Sequence, residues 1–122
     1  MGGMSRRKGV VGELEIVHEL NRLGCLARRT AQRMGASGDA SDVLVEGCRI
    51  HIEVKRTQTL AWKRTIEQAT RDAHGKPWVI LHRQNGGKWM AIMPLDGWVS
   101  DSLEMANARQ HRRDLMEGEH GI

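Results

Sequence analysis

The stretch that decides the fold is residues 42–55, which reads Asp-Val-Leu-Val-Glu-Gly-Cys-Arg-Ile-His-Ile-Glu-Val-Lys. Apolar and polar side chains alternate along its second half, and this period of two, preceded by the apolar run after Asp42, predicts a pair of strands with one buried face. Between the halves, Glu46-Gly47 predicts a tight two-residue hairpin turn. With this turn, Asp42 would pair with His51 across the hairpin.

The second predicted strand, residues 48–54, separates its polar side chains from its apolar ones. Alternation sends His51, Glu53 and the following Lys55 to the same face. Asp42 would point to that face as well, diagonal to Glu53 at about 7 to 8 Å, a separation that one bound ion can bridge. A Glu-Val-Lys sequence alone is more often a solvated ion pair, and a plain strand position is the simplest interpretation of His51. The additional aspartate favours a functional site.

An amphipathic helix is predicted upstream, over residues 6–23, with Ser5 as its N-cap and Gly24 as its stop. Its apolar residues recur with helical spacing. They are Val10, Leu14, Val17, Leu20 and Leu23. Val10, Val17, Leu20 and Leu23 lie within a narrow arc that also contains Glu13, so a carboxylate is predicted on the buried face of this helix.

The predicted position of Glu13 requires a compensating positive charge. Burying an ionised carboxylate costs several kcal/mol unless a cation lies beside it. Two interpretations stay open at this point: an ion pair with an arginine such as Arg28 or Arg33, or a role in lining a metal site.

The remaining elements predict an α/β fold. In chain order they are a short strand at 25–29, a polar loop at 30–41, a helix at 60–74, strands at 78–82 and 88–93 around an Asn-Gly-Gly turn, and a short helix beyond residue 96. The apolar stripe of the helix at 60–74 comprises Trp62, Ile66, Ala69 and Ala73. We therefore expect a single domain at residues 1–106, with a mixed β-sheet of about five strands flanked by helices, and a polar, mobile tail at 107–122.

Charge is distributed unevenly along this chain, whose net charge is +4. Residues 1–35 carry seven basic and three acidic groups, and residues 60–93 carry six and two. Residues 36–59 hold four carboxylates against three cations, and residues 94–122 hold six against three. Basic flanks around an acidic centre favour a polyanionic ligand with a metal between them, although a solvated basic surface without a ligand is the simpler alternative.

Other protein classes are less compatible with the sequence. No stretch approaches the ~18 apolar residues of a membrane span, and the N-terminus lacks an apolar targeting segment. We expect a cytoplasmic protein, in the host cytoplasm if it is phage-encoded, that does not interact with membranes. Cys25 and Cys48 lack the paired spacing of a zinc site or a disulfide framework, which predicts two buried free thiols.

Two carboxylates and a lysine on one patch suit the hydrolysis of a phosphodiester bond. Hard oxygen ligands such as those of Asp42 and Glu53 bind Mg²⁺, for which Mn²⁺ is expected to substitute, and the carbonyl of Val54 would add a ligand. The ion would polarise the scissile phosphate and activate a water molecule. Lys55 would orient this water or stabilise the charge of the transition state.

This constellation resembles the PD-(D/E)xK nuclease superfamily, and within it the archaeal-type and phage-type Holliday junction resolvases. The resemblance covers about residues 5–93. Its matching elements are Arg-Arg-Lys-Gly at 6–9 followed by Glu13, then 38–41 leading into Asp42-Val-Leu-Val, then Ile-Glu-Val-Lys at 52–55. Ser41 stands where the family usually has a proline before the aspartate.

The resemblance implies a restriction-endonuclease-like core and a Mg²⁺-dependent, structure-specific DNA endonuclease of DNA recombination and repair. The catalytic residues that it implies are Glu13, Asp42, Glu53 and Lys55, and the implied metal ligands are Asp42, Glu53, the Val54 carbonyl and Glu13. The substrate would be branched or four-way junction DNA, and symmetric cleavage of a junction by two sites would require a homodimer. Gln68 is similar in position to a glutamine that some members place against the site.

Several residues around the predicted site are candidates for contact with DNA. They are Arg6, Arg7, Lys8, Arg33, Ser41, Arg56, Lys63 and Arg64. The first three would lie at the N-terminus of the first helix, where the helix dipole also attracts phosphate. Two alternatives stay open: a nickase, flap or restriction-like nuclease with the same site, and a non-catalytic DNA-binding module that binds no metal.

Overall fold

The structure is a computed structural model that describes the backbone of residues 2–30 and 41–120, with the side chains of residues 9–30 and 41–118. The predicted loop at 30–41, which includes Arg33, falls almost entirely outside these ranges. The described elements are α1 (Gly2–Arg22), β1 (Ala27–Arg29), β2 (Val43–Val45), β3 (His51–Arg56), α2 (Trp62–Asp72), β4 (Trp78–Arg83), β5 (Met90–Ile92) and α3 (Leu95–His120). They belong to two compact units, Met1–Ile92 and Met93–Ile122.

The strands of the described ranges form two small sheets. β1 and β2 pair in antiparallel orientation, with Arg28 opposite Leu44. β3 and β4 pair in parallel, and β5 pairs with β4 in antiparallel orientation, so the second sheet is mixed. The mixed α/β class and the β4–β5 hairpin are confirmed. A single sheet of about five strands is not found within residues 2–30 and 41–120.

The turn at Glu46-Gly47 is present, but it does not join two paired strands. The N–H of Cys48 closes the turn at 3.0 Å, and Gly47 has a φ of +80°, a conformation that favours glycine. The chain then continues without strand structure until β3 begins at His51. Because β3 pairs with β4 through the crossover helix α2, the predicted hairpin pairing of Asp42 with His51 is wrong.

α1 is longer at its start than predicted and ends as predicted. It begins at Gly2 and not after Ser5; no proline lies between the two positions, and a serine can lie within the first turns of a helix as well as at its N-cap. Gly24, at φ +101°, ends the helix. The N–H groups of Gly24 and Cys25 bond back to carbonyls of the last turn at 3.1 and 2.9 Å, which is a Schellman motif.

The main core lies where α1, β2 and β3 meet, and its buried residues are Ile16, Val43 and Ile52. The side chains packed around them are Val17, Leu20, Ala27, Val45, Val54, Val79, Leu81 and Trp89. Leu23, which was predicted to lie on the buried face of α1, is 63% exposed, and Leu14, which shares the helical spacing, is 53% exposed. Leu14 lies opposite Ile16 around the helix axis, and Leu23 lies beyond the last helical residue.

Alternation along β3 divides its side chains between two helices. Ile52 and Val54 pack in the core with α1. Glu53 and Lys55 point to the opposite face, where they approach Asp72 and Gln68 of α2. The face that carries the predicted site is therefore covered by a helix and is not an open sheet surface.

α2 packs on β3 and β4 through small side chains. Thr65, Ala69 and Ala73 are buried, and the Thr65 hydroxyl donates to the Ala61 carbonyl at 2.8 Å. The burial predicted for Trp62 and Ile66 is wrong, since Trp62 is 54% exposed and Ile66 is exposed as well. Small residues at this interface let the helix lie close to the sheet, whereas an indole side chain would hold it away.

The second unit is dominated by α3. This helix continues through residues 107–120, so the prediction that the helix beyond residue 96 is short is wrong, while the mobility of the polar tail stays a prediction. A polar composition does not prevent a helix here, because Ala, Arg, Gln, Leu, Met and Glu all have high helix propensity. Within the described residues, no helix combines the length and the apolar character needed to cross a membrane.

Both cysteines are free thiols. Cys25 lies just ahead of β1 and is half-buried, so the predicted burial is confirmed only in part. Cys48 is exposed, because it follows the turn and does not lie within a strand, so the predicted burial is wrong for this residue.

Candidate metal centre

Asp42 lies at the edge of β3 that faces away from β4. Its N–H donates to the Ile52 carbonyl at 3.1 Å, and its Oδ2 accepts a hydrogen bond from the Val54 N–H at 2.9 Å. Since a residue in a strand directs its N–H and its C=O to the same side, the Val54 carbonyl points to this edge too. Asp42 and the backbone ligand predicted with it therefore share one edge of the strand.

The pKa of the Asp42 carboxyl depends on burial and on the charges of neighbouring residues. Burial raises the pKa of the Asp42 carboxyl from 3.8 to about 6. The negative charges of Glu53 and Glu13 act in the same direction, while the Val54 hydrogen bond and the charge of Lys55 lower this pKa. The structure thus brings the four predicted catalytic residues close enough for three of them to act electrostatically on the fourth.

Glu53 is almost fully buried, at 3% exposure, and is held by a histidine. His51 Nε2 and Glu53 Oε1 are joined by a hydrogen bond of 2.7 Å, in which Nε2 is the donor when the carboxylate is ionised. The other ring nitrogen, Nδ1, lies 2.9 Å from the Ser41 hydroxyl oxygen, which also accepts the Ile52 N–H at 3.3 Å. Hydrogen bonds therefore link Ser41, His51 and Glu53 in one relay, and the interpretation of His51 as a plain strand position is incomplete.

Lys55 and Gln68 meet across the interface between β3 and α2. Lys55 Nζ donates to Gln68 Oε1 at 3.4 Å. The glutamine that the family resemblance placed against the site therefore contacts the predicted catalytic lysine. This contact fixes the ammonium group near the polar face of β3.

Glu13 lies on the inner side of α1, as its helical phase predicted, and is paired with an arginine. Its Oε2 accepts a hydrogen bond from Arg29 Nε at 2.8 Å, and its side chain is 15% exposed. The ion pair predicted with an arginine such as Arg28 or Arg33 is present with Arg29, and Arg33 lies outside the described residues. Arg28 is exposed, because alternation along β1 turns it away from α1.

Asp72 is an additional acidic residue that sequence reasoning did not select. Ligand atoms of His51, Glu53 and Asp72 all lie within 4.8 Å of one another. A signal for it existed in the sequence, because Asp72 follows Gln68 by one helical turn and both therefore lie beside the buried stripe of α2.

The residues predicted to contact DNA lie in different environments. Ser41 is buried in the relay, and Arg56 is held by Glu15 at 3.2 Å and by Asn85 at 2.9 Å. Lys63 and Arg64 are exposed on α2. The basic residues at 6–8 lie in the second turn of α1 and not at its N-terminus, and their side chains, like that of Arg33, fall outside the described part of the chain.

Comparisons with models of protein families, with curated proteins and with solved structures gave no match. The chemistry of the site is therefore read from its own side chains. The carboxylates that converge here outnumber the cations beside them: Asp42, Glu53, Glu13 and Asp72 against Lys55, Arg29 and the largely exposed Arg71. An excess of desolvated negative charge favours the binding of a cation, and hard oxygen donors suit Mg²⁺.

Proposed function

We propose that this chain is a Mg²⁺-dependent endodeoxyribonuclease of the PD-(D/E)xK type, with a restriction-endonuclease-like core. The observation that carries the proposal is the Asp42 carboxyl, whose burial beside Glu53 and Glu13 raises its pKa to about 6. A desolvated carboxyl group among other carboxylates is stabilised in its charged form when a cation binds. Lys55 beside these acids completes a set that suits phosphodiester hydrolysis.

Asp42 and Glu53 would each hold Mg²⁺ by one oxygen. Because Asp42 Oδ2 is engaged by the Val54 N–H and Glu53 Oε1 by His51, we assign Asp42 Oδ1 and Glu53 Oε2 to the ion. The Val54 carbonyl would be the third protein ligand. When bound, Mg²⁺ would polarise the scissile phosphate and lower the pKa of a water molecule.

Lys55 and Glu13 would act beside these ligands. The Lys55 ammonium would donate to the attacking water or to a phosphate oxygen, and Gln68 would keep its Nζ within reach of the site. Glu13 would contribute through Oε1, because Arg29 engages its Oε2. Arg29 would thereby orient Glu13 without neutralising the attraction of the whole site for a cation.

The substrate that we propose is branched DNA, a four-way junction in particular, cut by a homodimer. This preference rests on the family resemblance and on the need for two sites in symmetric cleavage. Lys63 and Arg64 would contribute phosphate contacts from the exposed side of α2, together with Arg6, Arg7 and Lys8.

A cleavage assay tests the proposal. Labelled four-way junction, flap and linear duplex DNA would be incubated with the protein and Mg²⁺, or with Ca²⁺ in its place. We expect Asp42→Asn, Glu53→Gln and Lys55→Ala to lower the rate on the order of 100-fold or more, because each would lose a group that acts on the reacting atoms. Matched controls are Glu46→Gln and Lys88→Ala, which change exposed side chains of the same types.

The outcomes separate the alternatives. Undiminished cleavage by Glu53→Gln or Lys55→Ala would contradict the mechanism. Equal cleavage of all three substrates would contradict the junction preference and favour a nickase, flap or restriction-like nuclease. A non-catalytic DNA-binding module would bind DNA without cutting it, and calorimetry with Mn²⁺ would then give the same result for the parent and for Asp42→Asn.

A further inference from the structure

A second set of ligand atoms lies beside the proposed Mg²⁺ position. His51, Glu53 and Asp72 each offer one atom, and these atoms lie within 4.8 Å of one another. His51 and Glu53 occupy successive positions on the same face of β3 and are both 3% exposed, while Asp72 comes from the last turn of α2. One nitrogen and two carboxylate oxygens from two elements therefore converge.

His51 has a hydrogen-bond partner on its other ring nitrogen, as metal-binding histidines do. Its Nδ1 lies 2.9 Å from the Ser41 hydroxyl oxygen. This oxygen can accept two hydrogen bonds, so it can take one from a protonated Nδ1 in addition to the one from the Ile52 N–H. In that tautomer the Nε2 atom carries no proton and can bind a cation, while Ser41 fixes the orientation of the ring.

Electrostatics favour a cation at the same point. The carboxylates of the buried Glu53 and the partly exposed Asp72 approach each other, and two such negative charges repel unless a positive charge lies between them. The Nε of Arg71 is 3.8 Å from Asp72 Oδ1, but this arginine is largely exposed and therefore screens little. A divalent ion would replace the proton that now joins His51 to Glu53.

A cleft gives access to this cluster. It has a volume of about 570 Å³, and its lining includes Ser41, His51 and Asp72. Cys48, an exposed free thiol, also lines it. Among the described residues, Asp42, Lys55 and Glu53 do not line this cleft, so an ion would reach the cluster from the side of His51 and Asp72.

We propose that His51, Glu53 and Asp72 form a site for a borderline divalent cation, with Zn²⁺ as its representative. Three protein ligands of imidazole and carboxylate type suit zinc, whereas the nitrogen donor makes the site a poor one for Mg²⁺. This site shares Glu53 with the proposed Mg²⁺ site but does not depend on nuclease activity.

The test is a measurement of Zn²⁺ affinity by competition with a fluorescent chelator. All proteins would carry Cys48→Ser, so that the thiol in the cleft cannot supply the binding. We expect His51→Gln and Asp72→Asn to weaken Zn²⁺ binding by 100-fold or more, because even the loss of an outer partner of a metal ligand costs 10- to 100-fold. Asp42→Asn should change the affinity several-fold at most, and His18→Gln, which alters an exposed histidine of α1, should not change it.

Each possible result either supports or overturns the proposed Zn²⁺ site. A large loss in His51→Gln and Asp72→Asn, with tight binding kept in the Cys48→Ser parent, supports the site. Zn²⁺ affinity that disappears with Cys48→Ser alone, or that survives Asp72→Asn, overturns it. Circular dichroism identifies variants that fail to fold, and Asp72→Asn then decides alone because this residue is partly exposed. Cleavage with Mg²⁺ is scored separately, so failure of the nuclease proposal would leave the zinc result standing.

Discussion

Replacement of Asp42 by asparagine should stabilise the metal-free protein at neutral pH. Burial raises the pKa of the Asp42 carboxyl from 3.8 to about 6, so its charged form costs free energy in the folded state. At 1.36 kcal/mol per pKa unit, this rise corresponds to about 3 kcal/mol above pH 6. Asparagine imitates the protonated form and can still accept the Val54 N–H, so we expect a gain of between about 1 and 3 kcal/mol.

The pH dependence follows from the direction of the shift. The folded pKa is higher than the unfolded one, so the relative stabilisation of the protonated form is complete below pH 3.8 and is lost as the pH rises through about 6. The parent should therefore lose stability between these values while Asp42→Asn does not. The difference in the free energy of unfolding should be largest at pH 7 to 8 and should vanish near pH 3.8.

Urea denaturation in EDTA, followed by circular dichroism at several pH values, measures this difference. Glu46→Gln serves as the control, since this exposed carboxylate should give no pH-dependent gain. Addition of Mg²⁺ should then stabilise the parent and not Asp42→Asn, because a ligand that binds only the folded state raises its stability. The reasoning is refuted if Asp42→Asn is less stable than the parent at pH 8 in EDTA, or if the difference does not change with pH.

Three further predictions concern packing and charge. Gly12→Ala should lower the free energy of unfolding by about 1 to 3 kcal/mol, because the added Cβ would lie 2.6 Å from Arg56 Cβ. Gly9→Ala, whose added Cβ would have nothing within 4 Å, should be neutral or stabilising in the same urea titration. Ile80→Ala should cost about 2 to 5 kcal/mol and Ile80→Val about 0.5 to 1.5 kcal/mol, because this side chain is fully buried; equal costs would contradict the packing. Lys63→Ala should reduce the slope of the logarithm of DNA-binding affinity against the logarithm of salt concentration by about 1. An unchanged slope would exclude this residue from phosphate contact.

Sequence reasoning predicted the site better where it depended on local periodicity. The period of two along residues 51–55 placed Glu53 and Lys55 on one face, and the helical phase of α1 placed Glu13 on the inner side. Both are properties of a single element, so neither depends on how the elements pair. The polar strand face and the acid within an apolar stripe were therefore visible without a structure.

Pairing between elements was harder to predict. The turn at Glu46-Gly47 forms, yet a hairpin does not follow, because β3 finds a longer partner in β4. Asp42 therefore lies at the edge of β3 that faces away from β4, and it is not a diagonal cross-strand neighbour of Glu53. For α2, a pattern of bulky apolar residues predicted the wrong buried face, since the close approach to the sheet selects small residues such as Ala69.

The crossover through α2 also determines how a substrate can reach the site. His51, Glu53 and Lys55 point to the face that α2 covers, so a phosphate group cannot approach them from directly above the sheet. Asp42 and the Val54 carbonyl lie instead at the edge of β3 that faces away from β4. The proposed Mg²⁺ must therefore lie between this edge and the covered face, and Glu53 is the ligand that connects them. In this position, a buried carboxylate on a covered face would hold an ion that DNA could reach from outside.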